Sequence, residues 1–209
     1  MRTVPSSNLL TKILHFLCSL LLGGLILSSA SRSADSVPTG WDITQLMQSL
    51  LRAGSGRARF TEQKYIGILN EPITTSGLLE FRAPDRLEKR VIKPFEERYL
   101  VSNNTLIIEQ PENGSTRRFV LQQYPAIWAF VEGLRATLAG DVNTLRRFYS
   151  LKLQGTQEKW LLNLEPLDKT MQKMIRLIKI QGVNGQITSI EIIENNGDRS
   201  VMSIVPELP

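Results

Sequence analysis

The stretch GLLEFRAPDRLEKRVIKPFEERYLVSNNTLIIEQ, Gly77 to Gln110, constrains the fold more than any other. Apolar residues recur at every second position, and Pro, Asn and Asp interrupt the run at short intervals. A period of two is that of a β-strand with one buried face, and such short breaks leave room only for turns. Neighbouring strands must then pair antiparallel, as a meander. Leu79, Phe81 and Ala83 point one way, and Glu80 and Arg82 the other. Leu87 and Val91, Tyr99 and Val101, Leu106 and Ile108, and Phe119 and Leu121 continue the pattern. Register across the turns is not visible in a single sequence.

Extended along the chain, the same criteria predict strands at Arg57–Leu69, Ile73–Arg82, Arg86–Lys93, Glu97–Asn103, Thr105–Gln110 and Ser115–Gln122. Further strands are predicted at Tyr149–Gln154, Lys159–Leu164, Ile175–Gly182, Gln186–Glu194 and Arg199–Val205. Asn184-Gly185 and Asn196-Gly197 are hairpin turns. The fold class is mainly β with α, about eleven strands and three helices, and no internal repeat appears.

The first helix opens on Asp42, with Gln45 placed to close a capping box and Trp41 and Leu46 at the positions of a hydrophobic staple. Ile43, Leu46, Met47, Leu50 and Leu51 form its apolar face, and Gly54 is its stop. A second helix, Ala126–Ala139, follows Pro125 and ends before Gly140. Its only charges are Glu132 and Arg135. Ile127, Phe130, Val131, Leu134 and Leu138 make one stripe, and Trp128 and Ala129 widen it. A helix this apolar is covered on two sides or covers something apolar itself: it is an ordinary core helix or a lid over a cavity. Asp141 caps a short third helix through Phe148, and a helical turn is placed at Asp168–Lys173.

The N-terminus reads as an export signal. Arg2 and Lys12 precede an apolar run from Ile13 to Leu27, and Ser28-Ser29-Ala30 is a small-residue cleavage site. The run is shorter than the roughly 18–20 residues of a spanning helix. The expected organisation is a signal peptide over residues 1–30, a flexible mature N-terminus over 31–40 and a single domain over 41–209. Periplasmic localisation follows from that expectation. The chain has one His and one Cys, and both, His15 and Cys18, lie in the expected signal. The mature protein would then hold no disulfide, no Cys or Ser-His nucleophile, and no metal site of the usual kind. The formal charge of +5 falls slightly when the signal is removed, which is no nucleic-acid footprint.

Few residues invite chemistry. Carboxylate pairs such as Glu96/Glu97 or Glu62/Glu80 are not marked by any spacing, and no phosphate loop or dinucleotide fingerprint is present. The chain is read as no enzyme, with no cofactor. Basic residues cluster at Arg82, Arg86, Lys89 and Arg90, at Arg117 and Arg118, and at Arg146 and Arg147. Such clusters are solvated strand faces or contacts to anionic head groups; Arg82 and Arg86 flank the Pro84 turn, where a mouth would place them against a head group.

Several short motifs resemble the LolA family of periplasmic lipoprotein carriers. These are ARFTEQ (Ala58–Gln63), GLLEFRAPDRLEKR (Gly77–Arg90), YLVSNNTLII (Tyr99–Ile108), WLLNLEP and the closing strands from Ile175. The resemblance implies a half-open antiparallel β-barrel closed by helices, with an apolar interior that carries acyl chains. The family's Arg stands directly before the Pro; here Ala83 has that place and Arg82 is one residue earlier, on the opposite face of the strand. The family's role for that Arg is therefore not carried over. The LAGD block, Leu138–Asp141, is similar to a divergent branch associated with acyl or aryl-polyene lipid export, so the cargo is a lipid-modified protein or an acyl lipid. Phe60, Leu79, Phe81, Tyr99, Trp128, Phe130 and Leu134 are the expected cargo-lining residues. The resemblance further implies a monomer working between an inner-membrane donor and an outer-membrane acceptor. The alternative is an envelope protein-binding or sensor module of the same fold whose cavity is filled by its own side chains.

Overall fold

The structure is a computed structural model, and it describes residues 41–207. The expected signal and flexible N-terminus lie outside the described residues. Eleven strands form one antiparallel sheet in the order β6-β5-β4-β3-β2-β1-β11-β10-β9-β8-β7. In the N-terminal meander these are β1 (Gly56–Tyr65), β2 (Ile73–Arg82), β3 (Arg86–Lys93), β4 (Glu97–Ser102), β5 (Thr105–Gln110) and β6 (Ser115–Val120). The C-terminal meander comprises β7 (Tyr149–Gly155), β8 (Trp160–Pro166), β9 (Ile175–Val183), β10 (Gln186–Glu194) and β11 (Arg199–Pro206). Pairing of β1 with β11 fuses the two into one wall. The outermost strands, β6 and β7, do not pair with each other, so the barrel stays open.

Four helices complete the described chain: α1 (Ile43–Ala53), α2 (Pro125–Leu138), α3 (Val142–Phe148) and α4 (Lys169–Gln172). The capping box on α1 forms as its sequence dictates: the Gln45 amide donates to Asp42 Oδ1 at 2.9 Å, and the Asp42 amide donates to Gln45 Oε1 at 3.1 Å. Leu51 is the exception on its apolar face, lying exposed at the edge of the stripe. Asp141 caps α3 through the Thr144 amide, and Asp168 caps α4 through the amides of Thr170 and Met171.

Register settles what alternation left open. Phe81 faces Leu87, Leu87 faces Val101, and Val101 faces Leu106, which faces Phe119. One row further along, Ala58 faces Leu79, Leu79 faces Lys89, Lys89 faces Tyr99, and Tyr99 faces Ile108. The inner-facing residues therefore do share one face. Three strand ends differ from expectation by two residues or more, and one of them is β8, which runs on to Pro166. β1 ends at Tyr65, because the Gly67 amide turns aside to Asp198 Oδ1 (3.0 Å) and Leu69 closes a turn on Ile66, leaving Ile68 91 % exposed. β6 ends at Val120, where the Leu121 amide donates to the Asn104 carbonyl and Leu121–Gln123 coil into a 3-10 turn. Ala83 lies beyond the end of β2 and is exposed.

The helix α2 is covered on both sides. Toward the other helices Trp128 meets Phe148 edge-on at 5.2 Å, and the Tyr149 hydroxyl donates to the Ala129 carbonyl at 3.3 Å. Gly133 makes that approach possible: a Cβ there would stand 2.2 Å from the Tyr149 ring.

Candidate functional site

Between α1, α2 and the inner face of the sheet lies a cavity of about 770 Å³. Its walls come from Leu50 of α1, Phe130, Val131, Leu134 and Leu138 of α2, and Ala58, Leu79, Phe81, Leu87, Val101, Ile187, Ile190 and Ile204 of the sheet. The strands supply these because alternation aims every second side chain inward; α2 supplies four from one stripe. Exposed residues in the lining, Ala53 to Arg57, Gln186 and Pro206, mark the mouth. The mouth thus opens where α1 hands over to β1, beside the β9–β10 turn and the end of β11.

Away from the mouth the interior turns polar. Lys89 lines the cavity, and its side chain is only 3 % exposed against 1 % for its partner Glu62. Lys89 Nζ donates to Glu62 Oε2 at 2.9 Å, Thr75 Oγ1 donates to the same oxygen at 3.1 Å, and Ser200 Oγ donates to Glu62 Oε1 at 2.6 Å. One step deeper, Lys64 Nζ meets Glu194 Oε1 at 3.3 Å. Glu97 accepts from the Tyr99 hydroxyl at 2.8 Å and from Gln110 Nε2 at 2.6 Å. Burial pushes the Lys89 ammonium below the usual lysine range, with Glu62 opposing that shift. Burial, with Glu97 beside it, pushes the Tyr99 phenol up, so it stays a donor.

Of the expected lining residues, Leu79, Phe81, Tyr99, Phe130 and Leu134 stand around the cavity. Phe60 and Trp128 do not. The Lys89 ammonium lies over the Phe60 ring, 4.9 Å from its centroid, and the ring also packs close to Gly77. Trp128 points to α3, as described above. Arg82 and Arg86 sit at the mouth end but are not in the wall: Arg82 pairs with Glu80, and Arg86 Nη2 donates to Glu88 Oε2 at 2.9 Å. Glu88 is the hub of an outer-face cluster with Arg86, Arg90 and Arg98, and the Arg98 guanidinium chiefly holds its carboxyl down at about 2. Glu62 and Glu80 have opposite parity in the sheet, since register sets Glu80 opposite Arg57 and Glu62 opposite Thr75, so they do not face each other as an acid–base pair. A filled interior, the premise of the alternative reading, is not what the fold has.

The residues missed in the sequence are Glu62, Lys64 and Lys89. In the sequence Lys89 falls in a basic cluster that reads as a solvated strand face or a head-group contact. Its parity with Leu87 and Val91, and that of Glu62 and Lys64 with Phe60, was the signal that placed them inside.

No curated protein matches the chain. Among solved structures, a LolA superfamily protein from Nitrosomonas europaea is similar at 10 % identity and a TM-score of 0.39, covering 78 % of this chain and 94 % of that one. The MucA/MucB complex of Pseudomonas aeruginosa is similar at 12 % identity and a TM-score of 0.44, covering 80 % of this chain and 58 % of that one. A DUF1329 family protein from Desulfovibrio piger is similar at 11 % identity and a TM-score of 0.42, covering 82 % and 92 %. At these scores the structural likenesses carry no argument about function. The sequence pattern described as outer membrane lipoprotein carrier protein LolA-like matches residues 34–204, the whole sheet up to the middle of β11 and the helices over it. This chain therefore belongs to the LolA-like family.

Proposed function

We propose that this protein is a non-enzymatic periplasmic carrier that takes the acyl part of a lipid-modified protein or lipid into its cavity and passes it toward the outer membrane. The observation that carries the reading is the hollow itself: about 770 Å³ with mostly aliphatic and aromatic walls and an exposed mouth. Ligand pockets run to about 300–1,000 Å³, so the space suits a chain-like ligand. Unfilled apolar space forfeits dispersion contacts, so hydrocarbon entering it gains both contacts and release from water.

The energetics suit a carrier. Each buried methylene returns about 0.8 kcal/mol, so half a dozen give roughly 5 kcal/mol before ordering costs. That holds a chain and still lets a stronger acceptor take it. Exchange then needs only a downhill series of binding sites, from an inner-membrane donor to an outer-membrane acceptor.

Native mass spectrometry of protein purified without detergent tests the reading. The expected result is an added acyl-bearing mass that disappears on denaturation. Protein at its bare mass that also fails to bind a fluorescent fatty acid would overturn it.

A further inference from the structure

Behind the mouth the cavity walls are mostly apolar, and the buried Lys89 among them reaches away from the mouth to Glu62. We infer that the buried Lys89–Glu62 pair is a stop for the methyl end of a bound acyl chain, and so sets the longest chain the cavity accepts whole. This inference rests on the carrier reading above.

The direction of insertion follows from the placement of polar groups. Arg57, Gln186 and Glu207 stand at the mouth, where a head group or a peptide stays in water. Ala58, Leu79, Val101 and Ile204 form the walls behind them. At the far end Lys89 crosses the Phe60 ring to reach Glu62, which also accepts from Thr75 and Ser200. Glu62 thus accepts from three donors, and the pair offers no vacant acceptor for a head group. Behind it the Lys64–Glu194 pair repeats the arrangement. A methyl end moving past the floor would have to part a buried ion pair, and a buried charge left without its partner costs far more than one further methylene returns.

The stop also draws on four strands. Glu62 is on β1, Thr75 on β2, Lys89 on β3 and Ser200 on β11. Each hydrogen bond crosses a strand boundary, so the floor is fixed by the sheet and not by one mobile side chain.

The test is a homologous series of saturated fatty acids and of their methyl esters, titrated against the full chain. Affinity is expected to rise about fourfold per methylene up to a break length and to stay flat beyond it, for acids and esters alike. In the E62L/K89M double variant, which replaces the pair by apolar side chains of similar size, the break moves to longer chains. A fatty acid with a terminal diazirine, photolysed on the unaltered protein, is expected to label Lys89, Tyr99 or Phe60, and this arm does not depend on the variant folding. The stop is overturned by a series without a break, by a break unmoved in the double variant, by label at the mouth, or by a preference for acids over esters that vanishes in the variant. Absence of any acyl binding to the unaltered protein overturns the carrier reading and the stop with it; binding without a break overturns the stop alone.

Discussion

The two ends of the sheet's inner face are built on opposite rules. Toward the mouth, β1 offers Ala58, β3 Leu87, β4 Val101 and β11 Ile204, and the space between them is empty. Toward the other end the same strands offer Glu62 and Lys64, Lys89, Glu97 and Ser200, and the space is filled by their contacts. A hollow weakens a fold, because its lining lacks partner atoms. The charged end offsets that loss with directional bonds. Glu62 alone ties β1 to β2, β3 and β11, and Lys64 ties β1 to β10 through Glu194. Such bonds tolerate no slip in register, whereas the apolar walls at the mouth do. The strands around the open cavity are pinned at the other end of the same face.

The largest expected effect comes from unbalancing the pinned end. Lys89→Met alone leaves Glu62 buried without its cation and should cost about 3–5 kcal/mol in urea unfolding, most of it recovered in E62L/K89M. Leu134→Ala, at the hollow end, should cost only about 1 kcal/mol, below the usual range for a core leucine, since its side chain already faces empty space. Equal costs at the two positions would break the comparison.

The outer face supplies a smaller reference. Glu88 sits among Arg86, Arg90 and Arg98, whose side chains are 26–55 % exposed, and its carboxyl is lowered from 4.5 to about 2. A carboxyl lowered in the folded state stabilises fully above its unfolded value, and that contribution is lost as pH falls through the folded one. Glu88→Gln should therefore cost about 2 kcal/mol at neutral pH, allowing for screening of the exposed guanidiniums. The difference from the unaltered protein should shrink steadily between pH 4.5 and about 2. A cost independent of pH would show that packing, and not charge, accounts for the cluster.

Much of this arrangement was legible in the sequence, and the part that was not has a physical cause. Period-two alternation located nearly every strand, and the Asp42–Gln45 box located α1, because both signals are local. The breadth of α2's apolar surface implies either cover on two sides or an apolar hollow beneath it, and the fold has both. Trp128 was assigned to the wrong cover, since a helix wheel cannot say which neighbour lies on which side. Phe60 was placed in the wall on parity alone; parity is right, but a lysine from two strands away lies across its ring. In the sequence that lysine belongs to a basic cluster that reads as a solvated strand face or a head-group contact. Only register, which pairs Lys89 with Leu79 and brings it within reach of Glu62, reveals that it is not isolated.

The most direct test of the account fills one end and leaves the other alone. Ala58→Trp places a large ring in the cavity, and Glu194→Gln loosens the deep polar pair without touching it. Titration with a fluorescent fatty acid should show binding at least about tenfold weaker in Ala58→Trp, a loss of about 1.4 kcal/mol, and unchanged in Glu194→Gln. Equal affinity in Ala58→Trp and the unaltered protein would contradict the claim that the hollow at the mouth is where cargo lies.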